Sequence, residues 1–539
     1  MMTTDAGRRA LARRPVAPPP LRKARRGPSP ALLCLAAATV AIVATPLVFL
    51  LLELAGEPEG AARNALLRPR TVRLAGSTIG LVAAVILGTL ALGLPTGYLL
   101  ARTTLRARRF WHVAAALPLA IPSYVAGFAW VSVTPLRGFW GAFVVLVLVS
   151  TPYVTLPVTA ALRRADPTPE GVARTLGASP LQAFFLTTFP QVLPAASAGA
   201  LLAGLYTISD FGVVAIMRYP AFTWAIHTAF SGTFNRALAI SLSLVLVAIA
   251  LAIVAAERAL RRRATSSERV GYDSEGDRIR LSPGAQLISV IGLGLVFAAA
   301  VGLPIATLCQ RAVMSVANRE IEIARLVEAA GFTVVLGLAG AIVATALALP
   351  IAALAARHRT RLVAGMETAT YLGHGLPGIV LGLAMVYLTL SLVPALYQTP
   401  ALLVIAYGIL FAPKATGSAR AAIQQVPTRL EDASRTLGQT AWGTWLTITG
   451  RLAWPGITAG ALLVALTVMK ELPATLMMRP TGIDTLATRL WQLTDIAAYG
   501  AAAPYAIALI LVSSIPLSSS PSTLDGRHDP FLPHTAQFR

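Results

Sequence analysis

The sequence contains two related copies of one polar stretch, each lying between two long apolar runs. Residues 170–194 read EGVARTLGASPLQAFFLTTFPQVLP, and residues 431–455 read EDASRTLGQTAWGTWLTITGRLAWP. The residues that recur at a constant spacing of 261 positions are Glu170, Arg174, Thr175, Leu176, Gly177 and Pro194, which correspond to Glu431, Arg435, Thr436, Leu437, Gly438 and Pro455. Self-similarity at a fixed spacing indicates repeated structural units, so the chain consists of two homologous halves.

The correspondence between the halves extends well beyond this stretch. At an offset of 255, the matching residues are Thr78, Leu94, Pro95, Ala101, Arg102, Pro122 and Gly127, which correspond to Thr333, Leu349, Pro350, Ala356, Arg357, Pro377 and Gly382. From Pro152, which pairs with Pro413, the offset is 261 and holds as far as Met217 and Met478. One insertion of six residues in the second half, around residues 389–399, accounts for the change of offset.

The composition of the chain is that of an integral membrane protein. Hydrophobic residues make up 56% and charged residues 13% of the 539 residues, and the mean hydropathy is +0.69. Soluble domains carry about 25% charged residues. The net charge of +22 comes from the amino terminus and from short segments between apolar runs, as the positive-inside rule predicts. A nucleic-acid partner is not expected, because it would need a basic face with stacking aromatic side chains.

A membrane-spanning helix needs about 20 apolar residues, and two sets of six segments approach or exceed this length. In the first half they are 30–53, 74–101, 111–134, 138–162, 191–217 and 237–257. In the second half they are 286–309, 330–356, 367–393, 398–419, 454–476 and 499–519. We therefore predict an all-α membrane protein with about twelve transmembrane helices in two six-helix repeats.

The charged segment 258–284 separates the halves and is predicted to be a linker. The predicted domains are a basic disordered tail at 1–28, a first half at 29–257, the linker at 258–284, a second half at 285–521 and a carboxy-terminal tail at 522–539. If the basic tail is cytoplasmic and each half has about six spans, the linker and both termini are cytoplasmic. The halves are then parallel repeats related by an axis along the membrane normal, and both polar stretches face the cytoplasm.

Each polar stretch is predicted to form a short helix that ends at a glycine. The pairs Glu170–Arg174 and Glu431–Arg435 are each four residues apart, and such pairs support a helical turn. The glycine that follows in each copy tolerates a positive φ, so it allows the chain to bend. Two ordinary amphipathic connectors are the alternative interpretation.

The two stretches resemble the EAA loop of binding-protein-dependent ABC transporter permeases. That loop has E-A-A, three residues and a glycine, followed by nine residues and I-x-L-P. In the first copy Ala173 and Gly177 match this pattern, whereas Gly171 stands in the acidic place and Glu170 comes one residue early. In this family the loop is the coupling helix, which docks in a groove of the ATP-binding subunit.

The second copy matches the same pattern more fully. Ala433, Gly438 and Ile448 match, Asp432 takes the acidic place, and Gly450 stands where the leucine belongs. The resemblance implies that the docking residues are Glu170, Ala173, Arg174, Gly177, Glu431, Asp432, Ala433, Arg435 and Gly438.

The resemblance also implies that ATP is used by partner subunits. The chain lacks the phosphate-binding pattern G-x-x-x-x-G-K-[ST]. Two docking stretches imply two ATP-binding subunits, which would hold the ATP and Mg, and no cofactor is expected on the chain itself. We therefore expect a transport permease rather than an enzyme.

Two carboxylates, Asp210 and Glu471, lie in the fifth predicted span of each half and correspond at the offset of 261. A carboxylate at the bilayer centre costs about 2.5–3.5 kcal/mol, so neither is expected to face lipid. One interpretation places both at the outer mouth of a substrate pathway. The other has them capping helix ends or pairing with Lys470, Arg218 or Arg479, and the sequence leaves both open. A glycine and a proline just beyond the carboxylates favour a helix break there.

The segments SDFGVVAIMRYPAFTWAI and KELPATLMMRPTGIDTLATRLWQ resemble the fused, two-domain permeases of ferric-iron importers, and the resemblance extends from about residue 30 to 520. It implies a location in the plasma (inner) membrane and an extracytoplasmic binding protein that delivers Fe³⁺. Relatives with this architecture move thiamine, polyamines, sulfate or phosphonates, and these remain alternative substrates. A gradient-driven secondary transporter and a membrane enzyme are less favoured, since most spans lack ionisable residues and no catalytic motif is present.

Fe³⁺ prefers oxygen ligands, which Asp210, Glu471, Tyr206 and Tyr124 contain. The sequence does not identify which of them contacts iron, so the metal ligands stay open. His374, in YLGHGLPG near the middle of a predicted span, is either a pathway residue or a packed, hydrogen-bonded histidine.

Overall fold

The structure, a computed structural model, describes residues 28–56, 68–166, 168–232, 235–267, 278–317, 322–358 and 360–513. The side chains at positions 180, 181, 258, 261–267, 372 and 374 are outside this description. The predicted tails, apart from residue 28, and the central part of the predicted linker therefore lie outside the described residues. Residues 514–521 of the predicted second half also lie outside them.

Within the described residues the fold is helical, and the single extended contact is a bridge between Thr103 and Ile279. The first-half helices are Pro30–Gly56, Pro69–Arg102, Arg108–Ala116, Ser123–Val133, Gly138–Ser150, Pro152–Arg164, Thr168–Thr175, Pro180–Ala183, Phe189–Ser209, Gly212–Ile216, Phe222–Ser231 and Arg236–Ser267. The second-half helices are Pro283–Phe297, Leu303–Ala317, Ile323–Arg357, Arg361–Leu372, Gly378–Leu392, Pro400–Gln425, Thr428–Thr436, Ala441–Thr444, Gly450–Met469, Pro473–Met478, Leu486–Asp495 and Tyr499–Val512.

Short irregular helical turns connect several of these helices. Turns of the 3₁₀ type are Leu117–Ala120, Gly373–Gly375 and Pro394–Leu396. Wider π-type turns are Phe184–Thr188, Ala298–Gly302 and Trp445–Thr449. Two of the π-type turns occupy equivalent places in the two halves, directly before the fifth membrane helix, so the repeat extends to local backbone irregularities.

The predicted membrane spans are present as helices. In the described part of the chain, nine are long and apolar enough to cross a membrane: Pro30–Gly56, Pro69–Arg102, Gly138–Arg164, Phe184–Ser209, Arg236–Glu257, Pro283–Ala317, Ile323–Arg357, Pro400–Gln425 and Ala441–Met469. A further predicted span is a pair of helices, Arg108–Ala120 and Ser123–Val133, bent by 92°. The remaining two coincide with the shorter apolar helices Gly378–Leu392 and Tyr499–Val512. The prediction of an all-α membrane fold is confirmed, with three of the twelve segments bent or short.

The fifth membrane helix of each half is shorter than the sequence suggests. The predicted spans 191–217 and 454–476 extend past the points where the helices end, at Ser209 and Met469. A few non-helical residues follow each end, and a short second helix then begins. The helix break expected near the two carboxylates is therefore present in both halves.

The first membrane helix of each half packs against the other half. In Pro30–Gly56, Ala36 is buried against Leu354 of the second half. In the second half, Leu293 belongs to a buried cluster with Leu100 of the first half. This exchange of helices ties the two repeats together through apolar contacts made by the first membrane helix of each half.

The outer helices expose large apolar side chains that only lipid can cover. Leu52 and Ile288, on the first membrane helix of each half, are 66% and 73% exposed. Exposed apolar surface on this scale does not face water in a monomeric soluble protein. The 27 residues of Pro30–Gly56 extend about 40 Å, which is enough to cross the hydrocarbon core.

Glycines allow the closest helix contacts inside the first half. A Cβ built on Gly93 would lie 2.7 Å from Val154 Cγ1, and one on Gly97 would lie 2.7 Å from Val158 Cγ1. On the same helix, Gly80 has open space around it. Small residues let helix backbones approach closely in lipid, where dispersion contacts replace the hydrophobic effect.

We predict that Gly97→Leu destabilises the folded chain by about 1–3 kcal/mol, because overpacking forces the helices apart. Gly80→Ala is the matched control and should be neutral or stabilising by up to about 1 kcal/mol, since alanine favours the helix. Thermal unfolding of the detergent-solubilised chain, followed by size-exclusion chromatography, measures both. Equal melting temperatures for the two variants would contradict this packing.

Candidate functional site

The two polar stretches fold as nearly identical helix–turn units. We call Thr168–Thr175 the first loop helix and Thr428–Thr436 the second loop helix. Both are followed by a glycine in the left-handed region, with φ of +94° at Gly177 and +89° at Gly438. The predicted bend at both glycines is therefore present. Neither glycine has a heavy atom close to its missing Cβ, so the positive φ alone disfavours a larger residue there.

Backbone hydrogen bonds close each loop helix with the same motif. The N–H of Gly177 donates to the carbonyl of Arg174 at 3.1 Å, and the N–H of Ala178 donates to the carbonyl of Ala173 at 3.0 Å. The same two bonds in the second copy run from Gly438 to Arg435 and from Gln439 to Ser434, at 3.1 and 3.2 Å. This is the Schellman motif, which ends a helix at a left-handed glycine and satisfies its last carbonyls.

The chain reversal exposes a leucine in each copy. Leu176 and Leu437 are 82% and 85% exposed, and exposed Val172 and Trp442 lie on the same two units. These apolar side chains lie outside the predicted membrane spans, and such patches mark protein-interaction surfaces. The recurrence of both leucines was visible in the sequence, but the resemblance did not include them among the docking residues.

Glu431 connects the second loop helix to two membrane helices. Its carboxylate accepts a hydrogen bond from the Thr449 hydroxyl at 2.8 Å and pairs with Arg357 Nη2 at 2.6 Å. Arg357 also donates to the carbonyl of Val426 at 3.0 Å. Glu431 is buried, so its side chain acts within the chain.

The first loop helix has a weaker version of this connection. Glu170 accepts a hydrogen bond from the Thr188 hydroxyl at 2.6 Å, the counterpart of the bond to Thr449. The counterpart of Arg357 is Arg102, which donates instead to the carbonyl of Ala165 at 3.5 Å. Across the described residues, no cation lies within ion-pairing distance of Glu170. The recurring glutamate and threonine therefore join each loop helix to the π-type turn before the fifth membrane helix.

The other residues that the resemblance assigns to docking lie at the surface. Those that are exposed are Arg174, Gly177, Ala433, Arg435 and Gly438. Those that are partly exposed are Ala173 and Asp432. The structure thus separates the predicted set into surface residues and the two glutamates, whose carboxylates bind the chain itself.

Asp210 immediately follows the end of the fifth membrane helix of the first half. Its carboxylate accepts a hydrogen bond from the backbone N–H of Val213 at 2.8 Å and another from the Ser123 hydroxyl. Its carbonyl accepts from the Thr223 hydroxyl at 2.7 Å. Asp210 is buried, and these bonds satisfy polar groups that the helix break would leave unpaired.

Glu471 occupies the equivalent position in the second half. Its carboxylate accepts a hydrogen bond from the backbone N–H of Ala474 at 3.1 Å, and its carbonyl accepts from the Thr475 hydroxyl at 2.7 Å. A Cβ on Gly378 would clash with this carboxylate. Gly378 corresponds to Ser123 at the offset of 255, so the longer acid faces glycine and the shorter one faces serine.

The structure bears on the two interpretations of these carboxylates. Both accept a backbone N–H three residues on, which is the helix-capping geometry of the second interpretation. In the part of the chain that the structure describes, neither lies within ion-pairing distance of a cation, so the predicted pairing with Lys470, Arg218 or Arg479 is wrong. The capping role does not contradict the first interpretation, because a carboxylate that caps a helix can also line the mouth of a substrate pathway.

Two of the three remaining pathway candidates lie close to these carboxylates. Tyr206 lies beside Ser123 and Asp210. Tyr124 is within electrostatic range of Glu471, and its hydroxyl donates to the carbonyl of Lys470 at 3.4 Å. The backbone of His374 lies in the turn Gly373–Gly375, and its side chain is outside the described residues.

Sequence reasoning missed Lys414 and named Lys470 only as an ion-pair partner of the carboxylates. We call these two lysines, together with Asp210, Glu471, Tyr124 and Tyr206, the polar cluster. The Lys414 ammonium donates to the Thr467 hydroxyl at 3.0 Å, and the Lys470 ammonium donates to the carbonyl of Ala120 at 2.9 Å. A lysine inside the apolar run 398–419 was a signal equal to that of the two carboxylates. Within the described ranges, no group of three or more histidine, cysteine, aspartate or glutamate side chains is placed to hold a metal ion.

Comparison with known proteins defines the class. The chain matches the family described as "Binding-protein-dependent transport system inner membrane component" over residues 93–265 and again over 348–520. One match falls in each half, and together they cover more than half of the chain. The chain belongs to this family, and the resemblance inferred from the two polar stretches is confirmed.

Individual relatives are transport permeases. An Fe(3+)-transport system permease protein of Haemophilus influenzae is 33% identical over 460 residues, which cover 84% of this chain and 90% of the relative. A molybdate/tungstate transport system permease protein of Pyrococcus furiosus is 31% identical over 34% of this chain and 75% of its own length. A sulfate transport system permease protein of Salmonella typhimurium is 30% identical over 23% of this chain and 50% of its own length.

We predict that Glu431→Ala loosens the second loop helix more than Glu170→Ala loosens the first. Removing Glu431 leaves Arg357 without its carboxylate in a largely buried position, and a hydrogen bond to a charged group contributes about 1.5–3 kcal/mol. Glu170 has no ion pair to lose, so its variant is the matched control. Hydrogen exchange of the backbone amides in the two loop helices measures the difference, and equal exchange in both variants would refute it.

Proposed function

We propose that the chain is the membrane-spanning permease subunit of an ABC importer of the plasma (inner) membrane and that its substrate is ferric iron. An extracytoplasmic binding protein would hand over the iron, and separate subunits would hydrolyse ATP. The observation that carries the choice of iron is the extent of similarity. The relative named for Fe³⁺ transport matches along 84% of the chain, whereas those named for molybdate/tungstate and sulfate match along 34% and 23%.

Two ATP-binding subunits would dock on the two loop helices. Leu176 and Leu437 provide an apolar centre for each contact, because each is more than four-fifths exposed. The exposed arginines and the left-handed glycines of the two units surround it. Glu170 and Glu431 are positioning residues in this proposal, since their carboxylates bind threonines of their own chain.

The contacts between each loop helix and the fifth membrane helix support a coupling mechanism. Each loop helix is joined through its glutamate to the π-type turn, which continues into the fifth membrane helix. In the second half this helix, Gly450–Met469, has 20 residues and extends about 30 Å. It ends directly before Lys470 and Glu471. Closure of the ATP-binding subunits would therefore move the loop helix, and the rigid membrane helix would transmit this movement to the polar cluster.

The distribution of basic residues supports the proposed orientation of the chain in the membrane. The basic amino-terminal residues and the positive-inside rule favour cytoplasmic termini, and the loop helices would then face the ATP-binding subunits. A gradient-driven transporter would not need two matching docking units outside the membrane spans. The thiamine, polyamine, sulfate and phosphonate alternatives share this mechanism and differ only in the substrate.

Purification and reconstitution test the proposal. The chain, co-expressed with its ATP-binding protein, should retain about two copies of it per chain, as two docking units require. Proteoliposomes that contain this complex and the binding protein should take up ⁵⁵Fe³⁺ only when ATP is present. Uptake driven by an ion gradient without nucleotide would refute the ABC mechanism, and ATP-dependent uptake of sulfate or thiamine but not iron would refute the substrate.

We predict that Gly177→Val with Gly438→Val uncouples ATP hydrolysis from uptake while the chain still inserts. A β-branched residue is strained at positive φ by about 1–2 kcal/mol or more, so both docking units would change shape. Gly177→Asn with Gly438→Asn is the matched control, because asparagine tolerates this conformation. The ratio of iron taken up to ATP hydrolysed should fall in the valine variant and stay normal in the asparagine variant. Unchanged uptake in the valine variant would count against the docking assignment.

A further inference from the structure

The chain has three lysines, Lys23, Lys414 and Lys470, and two of them lie at the polar cluster. Lys414 is near the middle of Pro400–Gln425, about 21 Å along the helix from its start. Its ammonium donates to Thr467 on the neighbouring fifth membrane helix. A charged side chain at this depth belongs in a polar space between helices rather than against lipid.

Lys470 brings a second positive charge to the same space. It follows Thr467 by three residues, so the two lie near one another at the end of the fifth membrane helix. Its ammonium crosses to the first half and donates to the carbonyl of Ala120 at 2.9 Å. Lys414 bonds to Thr467, three residues before Lys470 on the same helix end, so both ammonium groups lie at this end of the fifth membrane helix.

These charges have no counter-ion in the described part of the chain. Neither ammonium group lies within 4.0 Å of a carboxylate there. The ion pairs among the described residues all involve arginines. The carboxylates of Asp210 and Glu471 are held by the hydrogen bonds already described. Lys414 is exposed and Lys470 is partly exposed, so both ammonium groups are accessible to a substrate and can donate charge-assisted hydrogen bonds to an anion.

A comparison of the two halves shows that the lysine at position 414 has no basic counterpart in the first half. At the offset of 261, Lys414 and Thr467 correspond to Tyr153 and Tyr206. The rings of these tyrosines have centroids 5.7 Å apart, and Tyr206 is within electrostatic range of Tyr124. The first half therefore has two phenol hydroxyls where the second half has one ammonium group and one threonine hydroxyl, and Lys470 corresponds to Ser209.

We propose that Lys414, Lys470 and the nearby tyrosines form an oxyanion subsite in the pathway, and that iron crosses as a complex with an oxyanion. Ammonium and phenol groups donate hydrogen bonds to oxyanion oxygens. A bare Fe³⁺ ion would be repelled by two unpaired ammonium groups, whereas an oxyanion bound to the iron offsets most of its positive charge and presents acceptor oxygens to the ammonium groups. The proposal rests on iron import as the function. A free oxyanion substrate would use the same chemistry without iron.

Double-label uptake tests the proposal. Proteoliposomes with the permease, its ATP-binding subunits and the binding protein receive ⁵⁵Fe³⁺ with ³²P-phosphate, or ⁵⁵Fe³⁺ with ¹⁴C-carbonate. One of the two anion labels should enter together with iron, in about a one-to-one ratio. Iron uptake with neither label would overturn the iron–oxyanion complex.

Variants of the lysines identify the subsite. Lys414→Gln with Lys470→Gln should lower iron and anion uptake together by at least about tenfold. Lys414→Arg with Lys470→Arg keeps both charges and should retain most uptake. Normal uptake in the glutamine variant would overturn the subsite. Retention of the ATP-binding subunits and ATP hydrolysis show that each variant is assembled. If the double variant fails this check, uptake of iron and anion is measured in the single Lys414→Gln variant instead.

A third arm separates this inference from the proposed function. Labelled molybdate and sulfate are offered without iron to the wild type and to the glutamine variant. ATP-dependent uptake of either by the wild type, lost in the variant, together with no uptake of ⁵⁵Fe³⁺ in the double-label assay, would refute the iron substrate and support the oxyanion subsite. No uptake of these free oxyanions, together with coupled uptake of iron and an anion, supports both.

Discussion

The break at the end of each fifth membrane helix is the constraint on which the site depends. Lipid offers no hydrogen bonds, so a helix can end inside a bundle only where other groups satisfy its backbone. The carboxylates of Asp210 and Glu471 accept the N–H groups of Val213 and Ala474, and nearby hydroxyl groups satisfy their carbonyls. The same residues that make the break possible therefore bring polar side chains into the centre of an apolar fold.

Around these breaks the two halves share the same helices and turns but differ in their polar side chains. The repeat preserves the loop helices, the left-handed glycines and the glutamate–threonine contacts. It does not preserve the residues at the polar cluster, where the first half has Tyr153 and Tyr206 and the second half has Lys414 and Thr467. In the proposed function, symmetry in the scaffold would allow two ATP-binding subunits to act alike, and asymmetry at the polar cluster would let two chemically different sides bind one substrate.

The residues that recur in both halves are the ones that join each loop helix to the fifth membrane helix. The glycine sets the reversal that exposes the leucine, and the glutamate holds the reversal to the membrane helix. Arg357 strengthens this connection in the second half only. In the proposed mechanism, a movement of the second loop helix would be transmitted through an ion pair as well as hydrogen bonds, so the two halves would not have to respond equally.

The sequence alone determined the apolar segments, the repeat and the glycine reversals, because hydropathy, spacing and positive φ are local properties of the chain. It also indicated that Asp210 and Glu471 avoid lipid. Only the tertiary structure decided that each first helix packs on the opposite half, that Glu431 meets Arg357, and that Lys414 reaches Thr467. These contacts join residues that are dozens to hundreds of positions apart, and they depend on which helix faces meet. Helix packing selects those faces from many with similar hydropathy, and for that reason no local pattern could reveal them.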